Sequence, residues 1–317
     1  MRTYPIVAFL VLLAAGGCGS SPTDPTPHEG AGGTGGSGAG GTGGEEIPTP
    51  ESVCRLWAEG HVENERVPWV PGEDVCDPGT LGEVAIEDTI RRINLFRALS
   101  GLPPVTEDRA RHPMTQACAV MMNVNGALSH DPPVSWECWT AQGAAGAASS
   151  NLALGSTTPG NAIDLLMRDP GVESVGHRRW LLGYFLGKVA IGFAGRATCV
   201  RVFDDSGQTD REWTAYPPPG PAPIDMVTDP WDRPIPWSFH PADGIEGAEV
   251  TMQKLPEGEP VAIDSWIPDT GFQIPDAIVW QPPPVQAGES YRITITRPSK
   301  ATVTYDVELV DCDALDP

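Results

Sequence analysis

Two histidines, in Leu128-Ser129-His130 and in Gly176-His177-Arg178-Arg179-Trp180, are the residues of this chain best suited to chemistry. An imidazole can bind a metal, carry a proton or donate a hydrogen bond to an anion, so two that converge would build a polar site. Between them lie Asn151-Leu152-Ala153-Leu154-Gly155 and an amphipathic stretch. Other catalytic patterns are missing: the chain has no HExxH, GxSxG or Walker loop. Gly33 to Gly38 fits the dinucleotide fingerprint only formally, since no strand precedes it and no helix follows. His28, His61, His112 and His240 stand in no partner motif and are expected at the surface. Arg178 and Arg179 read as surface packing and salt-bridge residues rather than as an anion clamp.

Several periodic segments must position the histidines. Ile86, Ile90, Ile93, Phe96 and Leu99 recur at helical spacing and stop at Gly101, with Pro103 beyond. A second helix is expected over 113–125, with Met114, Ala117, Cys118, Met121 and Met122 on its apolar side and Gly126 past its end. A third opens with Thr158 as N-cap and Pro159 in the first turn and ends at Pro170-Gly171; a short fourth covers 175–182. Val189, Ile191 and Phe193, then Thr198, Val200 and Val202, alternate as strands, which makes this part α+β. Pro217-Pro218-Pro219-Gly220-Pro221 interrupts the chain, and 216–317 alternates through Tyr291, Ile293 and Ile295 and through Val303 to Leu309 as a small β-sandwich. Trp231, Trp237, Trp266 and Trp280 would suit sugar stacking, but core packing is the commoner fate of tryptophan.

Compartment follows from the N-terminus and the cysteines. Arg2 and the apolar run 6–15 read as a secretion signal, too short to span a bilayer, and Ala15-Gly16-Gly17-Cys18 places small residues before a cysteine as in a lipobox, so Cys18 is the candidate lipidation site. The stretch 19–50 is a Gly/Ser/Thr/Pro tether. Of seven cysteines, the remaining six, Cys54, Cys76, Cys118, Cys138, Cys199 and Cys312, are expected in disulfides. Proximity in sequence favours Cys54 with Cys76, Cys118 with Cys138 and Cys199 with Cys312. The formal charge of −22 disfavours nucleic acid and anionic lipid as partners. The chain is expected to be an exported monomer, held at a bacterial membrane facing the periplasm or cell surface by a lipid anchor alone, or else fully secreted.

The series Ile93-Asn94-Leu95-Phe96-Arg97, Leu128-Ser129-His130, Asn151-Leu152-Ala153, Ala162-Ile163, Gly176-His177-Arg178 and Val189-Ala190-Ile191-Gly192 resembles a bacterial CAP domain, also called SCP-like. That is the superfamily of cysteine-rich secretory proteins, antigen 5 and pathogenesis-related 1. The resemblance implies an α-β-α sandwich within 51–215, with an open cleft into which two histidines and two acidic residues project in many members. His130 and His177 match the histidines. Ser150 stands where the family motif carries glutamate, which weakens acid/base chemistry in the cleft. Asp169 is the better remaining carboxylate, and Glu173, nearer His177 in sequence, is the second candidate. The resulting expectation is non-enzymatic binding of a small molecule, lipid, peptide or metal, with no cofactor required. The alternative is a peptidase-like hydrolase using zinc or another divalent metal on His130 and His177.

Overall fold

Thr49 and Ser52 open the first helix through a reciprocal capping box: Ser52 N donates to Thr49 Oγ1 at 3.2 Å and Thr49 N to Ser52 Oγ at 2.9 Å. The computed structural model describes residues 48–269 and 276–315. The expected signal segment, Cys18, His28 and nearly all of the expected tether lie outside the described residues. The helices are α1 (Pro50–Gly60), α2 (Glu83–Leu99), α3 (His112–Asn125), α4 (Ala141–Ala148), α5 (Pro159–Arg168), α6 (Gly176–Leu181) and the single turn α7 (Ile224–Val227). Local signals bound these helices, although α5 already ends at Arg168, before Pro170-Gly171. Gly126 ends α3 in the left-handed conformation, with φ at 58°, and Thr158 Oγ1 accepts from Asn161 N at 3.1 Å to start α5.

The strands of the N-terminal half are β1 (Trp69–Val70), β2 (Thr80–Leu81), β3 (Thr106–Glu107), β4 (Ser150–Leu154), β5 (Lys188–Ala194) and β6 (Ala197–Arg201). The first two form a small antiparallel pair, and the others a sheet in the order β3-β5-β6-β4. Val189, Ile191, Val200 and Ala153 pack with Ile93, Phe96, Ile163 and Leu166 of α2 and α5. Leu152, Ala194, Ala197 and Cys199 pack with Cys118, Met121 and Met122 of α3 and Ala147 of α4. The two-residue period of the strands thus sorts one sheet between two helical layers, an α-β-α sandwich. Gly192 shows how close α3 lies: a Cβ there would stand 2.0 Å from the carbonyl oxygen of Thr115.

Polar residues of α2 fix its neighbours. Asn94 both donates to and accepts from Val105, at 3.0 and 2.7 Å, pinning the chain that leads into β3. Arg97 is 1% exposed and donates to the carbonyls of Pro103, Leu181, Gly183 and Leu186. Burial lowers its pKa to about 10, still charged at neutral pH.

The C-terminal strands are β7 (Trp213–Tyr216), β8 (Gly220–Pro223), β9 (Trp237–Pro241), β10 (Glu249–Leu255), β11 (Glu259–Val261), β12 (Asp264–Trp266), β13 (Ile278–Gln281), β14 (Ser290–Thr296) and β15 (Val303–Val310). They form one sheet in the order β12-β13-β9-β7 and another in the order β11-β10-β14-β15-β8. Trp237 and Trp280 are fully buried, and the Trp237 ring meets Tyr291 edge-on at 5.9 Å. These two indoles are core residues, whereas Trp231 is 72% exposed. The fold is α+β, a helical sandwich followed by an all-β sandwich. The described residues form one compact unit, and one apolar core runs from Ile93 and Leu166 through Tyr216 to Trp237 and Leu309.

Two expectations are corrected here. All six cysteines are paired, but as Cys54–Cys312, Cys76–Cys138 and Cys118–Cys199. Sequence proximity misleads because Cys118 lies on the face of α3 that covers β6, where Cys199 sits, while α1 packs beside β8, the parallel neighbour of β15. The second concerns Arg178, Arg179 and His240, which are buried rather than on the surface. Arg178 donates to Met167 O at 2.7 Å and reaches across to Pro236 O at 2.8 Å and Ser238 Oγ at 3.1 Å, with its guanidinium 4.1 Å over the Tyr216 ring. His61 and His112 are half-buried, and His112 Nδ1 donates to Ile191 O at 2.8 Å.

Two predictions follow from this packing. Gly192→Ala should destabilise the fold by about 3 kcal/mol, since α3 backbone rather than a movable side chain occupies the space, and thermal unfolding measures the loss. His240 has its pKa lowered well below the usual value, first by burial and then by Arg179 and Arg178, so the folded protein holds it neutral. The unfolded chain takes up a proton near pH ~6.5 and the folded one does not, so this contribution to stability is present above that pH and is lost as pH falls below it. His240→Leu should therefore show a shallower fall in Tm between about pH 7.5 and pH 5 than the unchanged protein.

Candidate functional site

The loop that presents His177 is held from behind by one carboxylate. Asp169 caps α5 in the left-handed conformation, with φ at 55°. Its Oδ2 accepts from His177 N at 3.0 Å and Arg178 N at 3.3 Å, and its Oδ1 accepts from His177 Nδ1 at 2.6 Å. Val175 takes φ of 43°, unusual for a β-branched residue, immediately before α6. The strain, of order 1–3 kcal/mol, is sustained because Val175 is fully buried against Ala277, Val279 and Trp266 of the β-sandwich. Trp266 Nε1 also donates to Glu173 O at 2.8 Å. The β-sandwich therefore braces the turn that carries His177.

Hydrogen bonding fixes which nitrogen each ring offers. A carboxylate and a carbonyl only accept, so Nδ1 of His177 donates to Asp169 and Nδ1 of His130 donates to Ala147 O, at 2.9 Å. In its neutral form His177 then presents Nε2 as an acceptor. Asn151 Nδ2 donates to His177 O at 2.9 Å, which ties β4 to the same loop.

Both histidines line one cavity of about 380 Å³, within the range of small-molecule sites. Its walls are largely apolar, with Val172, Trp180, Val202 and Phe203, and the Trp180 and Phe203 rings lie 4.7 Å apart. Ser150, Asn151 and Ser174 add polar atoms, and Asp269 enters from the β-sandwich side. Ser150 is 3% exposed, and its Oγ has no hydrogen-bond partner among the described residues. Asp169 sits behind His177, with its side chain fully buried. Glu173 is exposed on the intervening turn, does not line the cavity and contributes its backbone carbonyl alone. Arg179 donates to Ser174 O at 3.2 Å, and burial lowers its pKa to about 10.

A catalytic zinc needs three protein ligands with water, a structural one four. No group of three His, Cys, Asp or Glu among the described residues is arranged to hold a metal ion, and the Asp169 carboxylate is committed to three N–H groups. The residues present do not fit a zinc centre. Of the sequence candidates, the structure brings His130 and His177 to one cavity and places Asp169 behind His177; the aromatic wall and Asp269 were not among them. Trp180 stood in view beside Arg179, whereas Asp269 carries no local signal, because only the packing of the second sandwich brings it to the cleft.

Residues 90–197 match the family model described as Cysteine-rich secretory protein family, CAP. No curated protein sequence matches the chain. Among solved structures, an extracellular protein containing a SCP domain from Bacillus anthracis str. Ames aligns at 18% identity with a TM-score of 0.30, over 36% of this chain and 38% of that one. The three disulfides are those of an exported protein.

Asp169→Asn keeps the shape but turns an N–H₂ toward donors that need an acceptor. It should cost roughly 1.5–3 kcal/mol in denaturant unfolding. It should also release the His177 ring, seen as loss of a single Nδ1–H tautomer in histidine nitrogen spectra.

Proposed function

We propose that this is a lipid-anchored CAP-domain protein that binds a small molecule, lipid or peptide in the cleft without chemical turnover. The observation that carries the reading is the make-up of the cavity. An apolar, aromatic-walled space of about 380 Å³ holds two histidines whose Nδ1 atoms are already engaged, with a serine in the place of a base. Such a lining of mostly apolar walls with a few polar groups is that of a ligand-binding pocket, and Ser150 at the position expected for a glutamate weakens the case for acid/base turnover. Lipidation at Cys18 would hold the binding head at a membrane surface, as the small residues before that cysteine suggest. Asp269 and Trp266 support a direct part for the β-sandwich in shaping the site, beyond that of a spacer.

Metal analysis and an activity panel test the reading together. Protein purified without chelators should carry no stoichiometric transition metal and hydrolyse nothing across broad peptide and ester panels. Stoichiometric zinc that disappears in the His130→Ala/His177→Ala double variant, together with hydrolysis that depends on it, would replace this reading with a metal-dependent hydrolase. Cys18→Ser should move the protein from the membrane fraction to the soluble one, measured by fractionation, and an unchanged distribution would remove the lipid anchor.

A further inference from the structure

Ser150 is the residue of the cleft whose chemistry nothing in the fold uses. Ser150 lines the cavity from the start of β4, the residue is 3% exposed, and its buried Oγ makes no hydrogen bond among the described residues. A buried hydroxyl without a partner costs roughly 1–3 kcal/mol, so a group that pairs with it on binding recovers that loss. His177 lines the same cavity and is 24% exposed. Asp169 takes its Nδ1–H, which leaves neutral His177 an acceptor at Nε2. Asp269, an exposed carboxylate, adds a second acceptor at the same opening, and the protein as a whole carries a charge of −22. A ligand head that brings only acceptors, such as a carboxylate, would face the Nε2 lone pair and two sources of like charge. A head with N–H donors satisfies Nε2 and lets Ser150 Oγ accept.

The other end of the cavity sets the rest of the ligand. Trp180 and Phe203 form a tilted pair with centroids 4.7 Å apart, and Phe203 is 39% exposed, so one aromatic face is open to contact. Val172 and Val202 continue the apolar wall. From this juxtaposition we infer that the cleft selects a small amphiphile with an N–H donor head, an ammonium or amide, that engages Ser150 and His177, and a flat apolar body that lies on the Trp180–Phe203 pair. This specifies the ligand class for the cleft reading given above and rests on it.

The test uses three matched probes on the full chain at pH 8: 2-phenylethylamine, 3-phenylpropionamide and 3-phenylpropionate. Titrations are followed by histidine and indole nitrogen resonances. The amine and the amide should shift the His177 and Trp180 signals and bind at least about tenfold tighter than the carboxylate. Ser150→Ala should weaken both donor-headed probes about five- to tenfold while leaving Tm unchanged or higher, because the hydroxyl it removes stabilises nothing in the free protein. Binding that favours the carboxylate, or that is indifferent to Ser150→Ala, would overturn the donor-head inference and leave the cleft as a binding site of another selectivity. If none of the probes moves a His130, His177 or Trp180 resonance at millimolar concentration, small-molecule binding in the cleft itself fails, and the inference with it.

Discussion

The buried guanidinium of Arg178 is the constraint on which the two halves of the molecule depend. A charge taken fully out of water is costly, and burial lowers its pKa, opposed by the Tyr216 and Asp169 groups nearby. Several groups surround it: Met167 O from the end of α5, Pro236 O and Ser238 Oγ from the approach to and start of β9, and the Tyr216 ring, while its Nη2 makes no hydrogen bond among the described residues. Those bonds tie the end of α5 and the start of α6 to β9. His177 is the residue before Arg178, so the imidazole that Asp169 orients sits beside a polar contact made in the core between the sandwiches.

This explains why a β-sandwich follows the helical one without a second, separate core. Val175 holds a strained backbone, and the groups that hold it, Ala277, Val279 and Trp266, come from the later sheet. Loops that carry binding residues are normally positioned by a rigid scaffold. Here that scaffold is assembled from both ends of the sequence, and the cleft is as much a product of β12 and β13 as of α5 and α6.

Much of the helical sandwich was legible because its signals are local. The period of Ile86 to Leu99, the Thr158-Pro159 start and the alternation of Val189, Ile191 and Phe193 each reflect a face that one element buries. Helix α4 escaped notice because Ala141–Ala148 has little contrast between its faces, and its glycines serve close approach: a Cβ on Gly146 would meet Met114 O at 2.3 Å. Strand β4 is buried along nearly its whole length and so lacks alternation. In the cleft, the order of the motifs already pointed to the two histidines that line the cavity and to Asp169 behind one of them. Asp269 and the disulfide partners were not legible, since long-range packing decides both.

The Cys54–Cys312 bond joins residues 258 positions apart, and nearly the whole folded chain lies between them. The covalent skeleton of the head is therefore a closed ring rather than a thread. A protease that cuts one exposed turn of that ring linearises it without releasing a fragment, so the two sandwiches stay attached to each other. The cleft can therefore survive a single cut that would separate the halves of an open chain.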